Sequence, residues 1–195
     1  MSPWEIAGYI TGLISVWWLV REKIAAWPAG ILSAAAYGIF FLQGHLYANA
    51  ALQVIYIGLY FYGWGIWRRG VSETAAVRIG WMKPAACVAL LLAGIPATVG
   101  IAYYLKRFTA APELPWWDAG TTAYSIIGQW MQARKYLENW PLWLLVNGVY
   151  VGLLIHLDYR LSASLYALFA VLSVAGWVQW RKLRAASAAT AVVTP

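Results

Sequence analysis

Trp17-Trp18-Leu19-Val20-Arg21-Glu22-Lys23-Ile24-Ala25-Ala26-Trp27-Pro28 and Trp130-Met131-Gln132-Ala133-Arg134-Lys135-Tyr136-Leu137-Glu138-Asn139-Trp140-Pro141 are one pattern written twice: a tryptophan, an arginine four residues on, and a Trp-Pro pair ten residues on. The register between them is 113 residues, from Trp17 to Trp130. It continues without a gap through Tyr37 and Tyr150, Leu52 and Leu165, Gly63-Trp64 and Gly176-Trp177, and Trp67-Arg68 and Trp180-Arg181. Identities spread over three apolar runs at a single offset mark a duplicated three-segment unit. Internal repeats packed around a midplane site are a recurrent architecture of membrane transporters.

Composition puts that unit in a bilayer. Of the 195 residues, 63% are hydrophobic and 11% charged, where a soluble domain carries about 25% charged residues. Nearly the whole chain is taken up by runs long enough to cross a hydrocarbon core of about 30 Å, which leaves one membrane domain and no room for a soluble one. The net charge of +7 comes from basic residues set singly or in short groups between apolar runs. They read as topology signals and not as a nucleic-acid-binding stripe. Met1 to Trp4 holds no positive charge and Glu5 follows, so the first segment is not expected to be a cleaved signal. Cys87 is the only cysteine, which excludes a disulfide framework and a Cys-based metal site.

Seven segments follow: Ile6 to Val20, Ile24 to Leu42, Leu46 to Trp67, Pro84 to Leu105, Ala119 to Met131, Trp140 to Ile155 and Leu161 to Trp180. The fold class expected is an all-α membrane protein of two parallel three-helix bundles joined by a linking helix, with repeat 1 at 5–68, the linking helix at 84–105, repeat 2 at 118–181, and a disordered tail at 185–195. The fifth segment is short and polar, holding Thr121, Thr122, Ser125 and Gln129, and is assigned through its pairing with the first. One inverting segment between the repeats makes the duplication parallel. Eleven lysines and arginines lie after segments one, three and five and in the tail, against Lys106, Arg107 and Arg160 on the other side. The positive-inside rule then places the N-terminus outside and the C-terminus in the cytoplasm. Trp4, Trp67, Trp116, Trp117 and Trp180 fall near segment ends, as an interfacial aromatic belt requires.

Polar side chains at bilayer depth are costly and face protein, water or ligand. Asn49 and Gln53 are four apart and share one helix face; Trp140, Trp143 and Asn147 share another; Asp118, Thr122, Ser125 and Gln129 form a polar stripe on the fifth segment. Indole faces stack on flat rings, the more so on cationic ones, and amides offer both donors and acceptors. The competing reading is helix association, in which the same amides only tie neighbours together. The acids Glu5, Glu22, Glu73, Glu113, Asp118, Glu138 and Asp158 all avoid segment middles. That leaves ion coupling without an obvious carrier, Asp118 at the outer end of the fifth segment being the nearest candidate. His45 and His156 sit at segment ends without a nearby cysteine or acid pair, so no metal site is expected. No catalytic triad, phosphate loop or paired-carboxylate spacing is present, and neither enzymatic activity nor a cofactor is expected.

The run from Gln129 through Glu138-Asn139-Trp140, Trp143 and Asn147, followed by Leu165 to Phe169 and Gly176 to Trp180, resembles the PnuC family of bacterial vitamin transporters. Trp27 to Gly30, Tyr47-Ala48-Asn49, Leu52-Gln53 and Gly63 to Trp67 carry the same resemblance in the first repeat, and it covers nearly all of residues 5 to 182. The resemblance implies a SWEET-like fold, a homotrimer in the bacterial inner membrane, and facilitated diffusion of nicotinamide riboside trapped by a cytosolic kinase. Carried over residue by residue, it makes Trp140, Trp143, Asn147, Asn49 and Gln53 substrate-binding, with Gln129 as an addition. Pro141 inside the tryptophan pair and the short N-terminus depart from the family pattern and leave the vitamin open. Thiamine, riboflavin or a nucleoside could use the same faces, and a non-transporting membrane scaffold is the alternative from another class.

Overall fold

The computed structural model describes residues 2–43, 47–72, 78–108, 115–156, 158 and 160–193. They form seven α-helices: α1 (Pro3–Val20), α2 (Ala26–Gln43), α3 (Tyr47–Ser72), α4 (Pro84–Phe108), α5 (Pro115–Ala133), α6 (Asn139–His156) and α7 (Arg160–Val193). His45, Glu73 and Glu113, and the side chain of Asn49, lie outside the described residues. By length and apolarity alone, Ala26–Gln43, Pro84–Arg107 and Ala163–Ser187 suffice to cross a membrane. The other four are α1, α3, α5 and α6. Even the shortest have 18 residues, about 27 Å at 1.5 Å per residue.

Local chemistry sets the helix ends. Ser2 caps α1 in a reciprocal capping box with Glu5, and Pro3 occupies the first turn, where its missing N–H costs nothing. At the other end the chain leaves α1 through Glu22 at φ 57° and leaves α5 through Lys135 at φ 56°. The Lys23 amide donates back to the Trp18 carbonyl at 2.9 Å and the Tyr136 amide to the Met131 carbonyl at 3.0 Å, the six-residue closure of a Schellman cap. The next helices begin alike, Trp27 N donating to Ile24 O at 3.2 Å and Trp140 N to Leu137 O at 3.1 Å. The turn read twice in the sequence is thus closed and restarted by matching bonds in both copies.

Two compact units result: Met1–Ile79 with Ala133–Lys135 and Ala175–Pro195, and Gly80–Gln132 with Tyr136–Val174. In the first, α2 packs between α1 and α3. Trp27 lies flat against Gly63, where a Cβ would come within 2.2 Å of the indole. It meets Trp67 edge-on at 5.3 Å. Trp67 Nε1 donates to the Ala133 carbonyl and Trp180 Nε1 to the Leu19 carbonyl, both at 3.0 Å. Repeat 1 and the returning ends of α5 and α7 are therefore held together by like bonds from like residues. Arg68 over Trp64 (5.8 Å) and Arg181 over Trp177 (5.6 Å) are a second matched pair.

In the second unit, Met82, Met131, Leu142 and Val146 form the core, flanked by Leu90, Leu91, Tyr124, Ile127 and Trp143. Tyr124 lies against Gly94 of α4 and donates to the Leu91 carbonyl at 3.0 Å. Residues 80–82 are tied to the α5–α6 turn by Leu137 N to Gly80 O and Met82 N to Glu138 Oε1, both 2.9 Å.

Two expectations are corrected. Trp67 and Trp180 are not belt residues: they are 4% and 0% exposed. Their indole N–H groups find carbonyl acceptors inside the protein, which removes the reason to sit at an interface. Trp4, Trp116 and Trp117 do stand exposed near helix starts. The tail expected to be disordered from residue 185 is helical to Val193, because Ala185, Ala186, Ala188, Ala189 and Ala191 are the best of helix formers and Pro195 lies beyond the end.

Candidate functional site

The second unit concentrates polar groups inside an apolar frame. On α5, Thr121, Thr122, Ser125, Gln129 and Gln132 are all buried, so the stripe seen in the sequence faces inward from Thr122 to Gln129, with Asp118 half-buried at its start. On α6, Trp140 is 1% and Asn147 4% exposed, while Trp143 is half-buried. Gly128 is what lets the two helices meet. A Cβ there would lie 3.3 Å from Trp143 Cε2 and 3.5 Å from Nε1, so the indole rests on bare α5 backbone beside Gln129.

Hydrogen bonding within this set is incomplete. Asn147 Nδ2 donates to Ser173 Oγ at a long 3.4 Å, and Ser173 donates in turn to the Phe169 carbonyl at 2.8 Å. The Tyr150 ring is stacked on Tyr166 at 4.4 Å. Gln129 Nε2 and Trp143 Nε1 are buried with no hydrogen-bond partner among the described residues. Both are donors, and a buried donor left unmet costs about 1–3 kcal/mol. An acceptor oxygen on a bound molecule would satisfy them.

The repeat shows which residues are particular to this place. At the 113-residue offset, Trp140 corresponds to Trp27, which packs on Gly63 in the first unit. Trp143 corresponds instead to Gly30, Asn147 to Ala34, Ser173 to Tyr60 and Gln53 to Tyr166. In repeat 1 the bulk comes from the third helix, Tyr60 filling the space over Gly30, where a Cβ would fall 2.8 Å from its ring. Repeat 2 moves the bulk to Trp143 and leaves a small hydroxyl at Ser173. The scaffold is shared and the polar lining is not.

Of the six candidates, Gln129, Trp140, Trp143 and Asn147 thus fall in one unit on two adjoining helices. Asn49 and Gln53 belong to the other, on α3. Gln53 lines a groove of about 310 Å³ with Ala34, Gly38, Ala50 and Val54. A larger groove, of about 480 Å³, lies between α4, α5 and α6, and none of the six borders it. Sequence reasoning missed Ser173 and Gly128. Ser173 had a signal, a hydroxyl alone between Leu172 and Val174 in mid-segment; Gly128 had none, because only the approach of Trp143 gives it meaning.

Residues 2–182 match the family model described as nicotinamide mononucleotide transporter. The riboflavin/roseoflavin transporter RibM of Streptomyces davaonensis is 30% identical over 90% of this chain and 83% of its own length. The nicotinamide riboside transporter PnuC of Escherichia coli is 30% identical over 75% of this chain and 72% of its own. The crystal structure of the vitamin B3 transporter PnuC has a TM-score of 0.75 at 24% identity, covering 93% of this chain and 81% of that one. At that identity the likeness establishes the fold.

Proposed function

Because the chain belongs to the nicotinamide mononucleotide transporter family, a family of integral membrane transporters and not of enzymes, we propose that it carries nicotinamide riboside by facilitated diffusion. The observation that carries this reading is the pair of buried, unmet donors, Gln129 Nε2 and Trp143 Nε1, beside Asn147. Nicotinamide riboside is a flat cationic ring bearing a carboxamide oxygen and sugar hydroxyls. An indole attracts such a ring by about 0.5–2 kcal/mol, and the amides supply donors for its oxygens. The resemblance adds Gln53 and Asn49 of α3 to the substrate-binding residues. Trp140, whose counterpart Trp27 is a packing residue, is assigned the role of holding the α5–α6 turn that presents Trp143.

The rest of the proposal follows the resemblance: two three-helix bundles of SWEET-like arrangement joined by α4, a homotrimer, and trapping of the vitamin by a cytosolic kinase. The distribution of lysine and arginine supports an N-terminus outside and a C-terminus in the cytoplasm of a bacterial inner membrane. The acids lie away from segment middles, which fits a carrier driven by trapping alone.

Riboflavin is the second reading, favoured by the likeness to RibM over nine-tenths of the chain; thiamine, with its cationic thiazolium ring, is a third. Proteoliposomes with an enclosed riboside kinase and ATP decide among them. Labelled nicotinamide riboside is expected to accumulate above protein-free vesicles, and unlabelled riboflavin or thiamine to compete weakly. Uptake no greater than in empty vesicles would remove nicotinamide riboside, and saturable binding of riboflavin or thiamine alone would replace it. A protein that binds none of the three, and whose Trp143 and Asn147 variants fail only in assembly, would be a scaffold.

A further inference from the structure

The groove of about 480 Å³ between α4, α5 and α6 borders none of the six candidate residues, meets the polar set at Thr121, and has a chemistry of its own. Its shaft is hydrocarbon: Ile95 and Val99 of α4 and Leu145 of α6 are 54%, 50% and 65% exposed. Its rim is Trp116 and Trp117, at the first turn of α5. Lys106, in the last turn of α4, holds its ammonium 4.8 Å over the Trp116 ring, and Arg107 follows it. Among the described residues at this end of the unit, Asp158 is already paired with Arg160 at 2.9 Å. That leaves Asp118 as the acid near the rim.

Along α5 the groove runs from Trp116 to Tyr124, about 12 Å at 1.5 Å per residue, which is the reach of the upper part of an acyl chain. An apolar shaft open to the hydrocarbon, closed at one end by indoles and an ammonium, matches an amphiphile with a negative head. Indoles settle at headgroup depth, and cations there attract anionic lipid. We infer that this groove holds one acyl chain of an anionic phospholipid, whose phosphate is bound by Lys106 with Arg107 adding charge. The assignment does not rest on which vitamin is carried.

Native mass spectrometry of the protein released from mixed phosphatidylglycerol and phosphatidylcholine bilayers tests it. One phosphatidylglycerol per chain is expected to be retained in preference to phosphatidylcholine, the preference falling roughly fivefold on Lys106→Gln. Val99→Trp, which fills the shaft, is expected to abolish retention of either lipid. Benzoylphenylalanine at position 145 gives an independent readout, because irradiation should yield a lipid adduct on the chain. Equal retention of the two lipids, or retention unchanged in both variants, would overturn the inference. So would a cross-link from position 145 to a second copy of the chain, which would make the groove a subunit interface.

Discussion

Glu22 and Lys135 are the same position of the two repeats, and they form an ion pair with each other. Each is the left-handed residue that ends its helix, at φ 57° and 56°, a conformation that costs a non-glycine residue about 1–2 kcal/mol. Two equivalent positions of the repeats thus meet each other directly. Trp67 and Trp180, also equivalent, meet close by at 6.2 Å between ring centroids, and Lys135 lies 4.5 Å over the Trp67 ring. Symmetry is kept in the backbone of the turn and broken in its charge, acid on one side and base on the other.

Reversing one charge of this pair should therefore destabilise and reversing both should restore. Side chains that are 14% and 28% exposed warrant a coupling of about 1 kcal/mol. Thermal unfolding in detergent of Glu22→Lys, Lys135→Glu and the double variant measures it. Strictly additive losses would mean that the pair contributes nothing.

Trp67→Phe and Trp180→Phe each delete a buried indole donor, the first from the Ala133 carbonyl and the second from the Leu19 carbonyl, which keeps the Glu22 amide. Each should cost about 1–3 kcal/mol. The donors are counterparts although their acceptors are offset by one residue, so both variants should lose stability, the Trp67 variant at least as much as the other. A large loss from one variant and none from the other would refute the equivalence.

Gly63→Ala places a methyl 2.2 Å from the Trp27 ring, whereas Gly65→Ala meets nothing within 4 Å. Overpacking of this kind costs about 1–3 kcal/mol or more. Folded yield on size-exclusion chromatography should fall for the first variant and hold for the second. Equal yields would show that Trp27 can move aside freely.

Gln129→Leu separates binding from packing. It removes an unmet buried donor, so the ligand-free protein should be unchanged in stability or gain a few degrees of melting temperature, while losing about 1–3 kcal/mol of ligand binding. Trp143→Ala should likewise weaken binding, and Trp140→Ala should lower stability by about 3–5 kcal/mol as a buried aromatic. Calorimetric titration beside melting curves distinguishes these outcomes. Destabilisation by Gln129→Leu with unaltered binding would return the residue to the scaffold.

Much of this was legible in one dimension. Hydrophobic runs and a constant offset are properties of the chain itself, so seven helices, the membrane class and the duplication follow from reading along it, and the helix starts fell within a few residues. The tail departs from its expected disorder because its alanines favour helix. What the sequence could not determine is how differently two like tryptophans are surrounded. Trp140 and Trp143 look alike on paper; they differ because Gly128 comes up beneath the second from another helix. The Glu22 and Lys135 pairing and the Asn147 to Ser173 bond are of the same kind. Such relations depend on groups distant along the chain coming within hydrogen-bond reach, and only the packing of the helices brings them there.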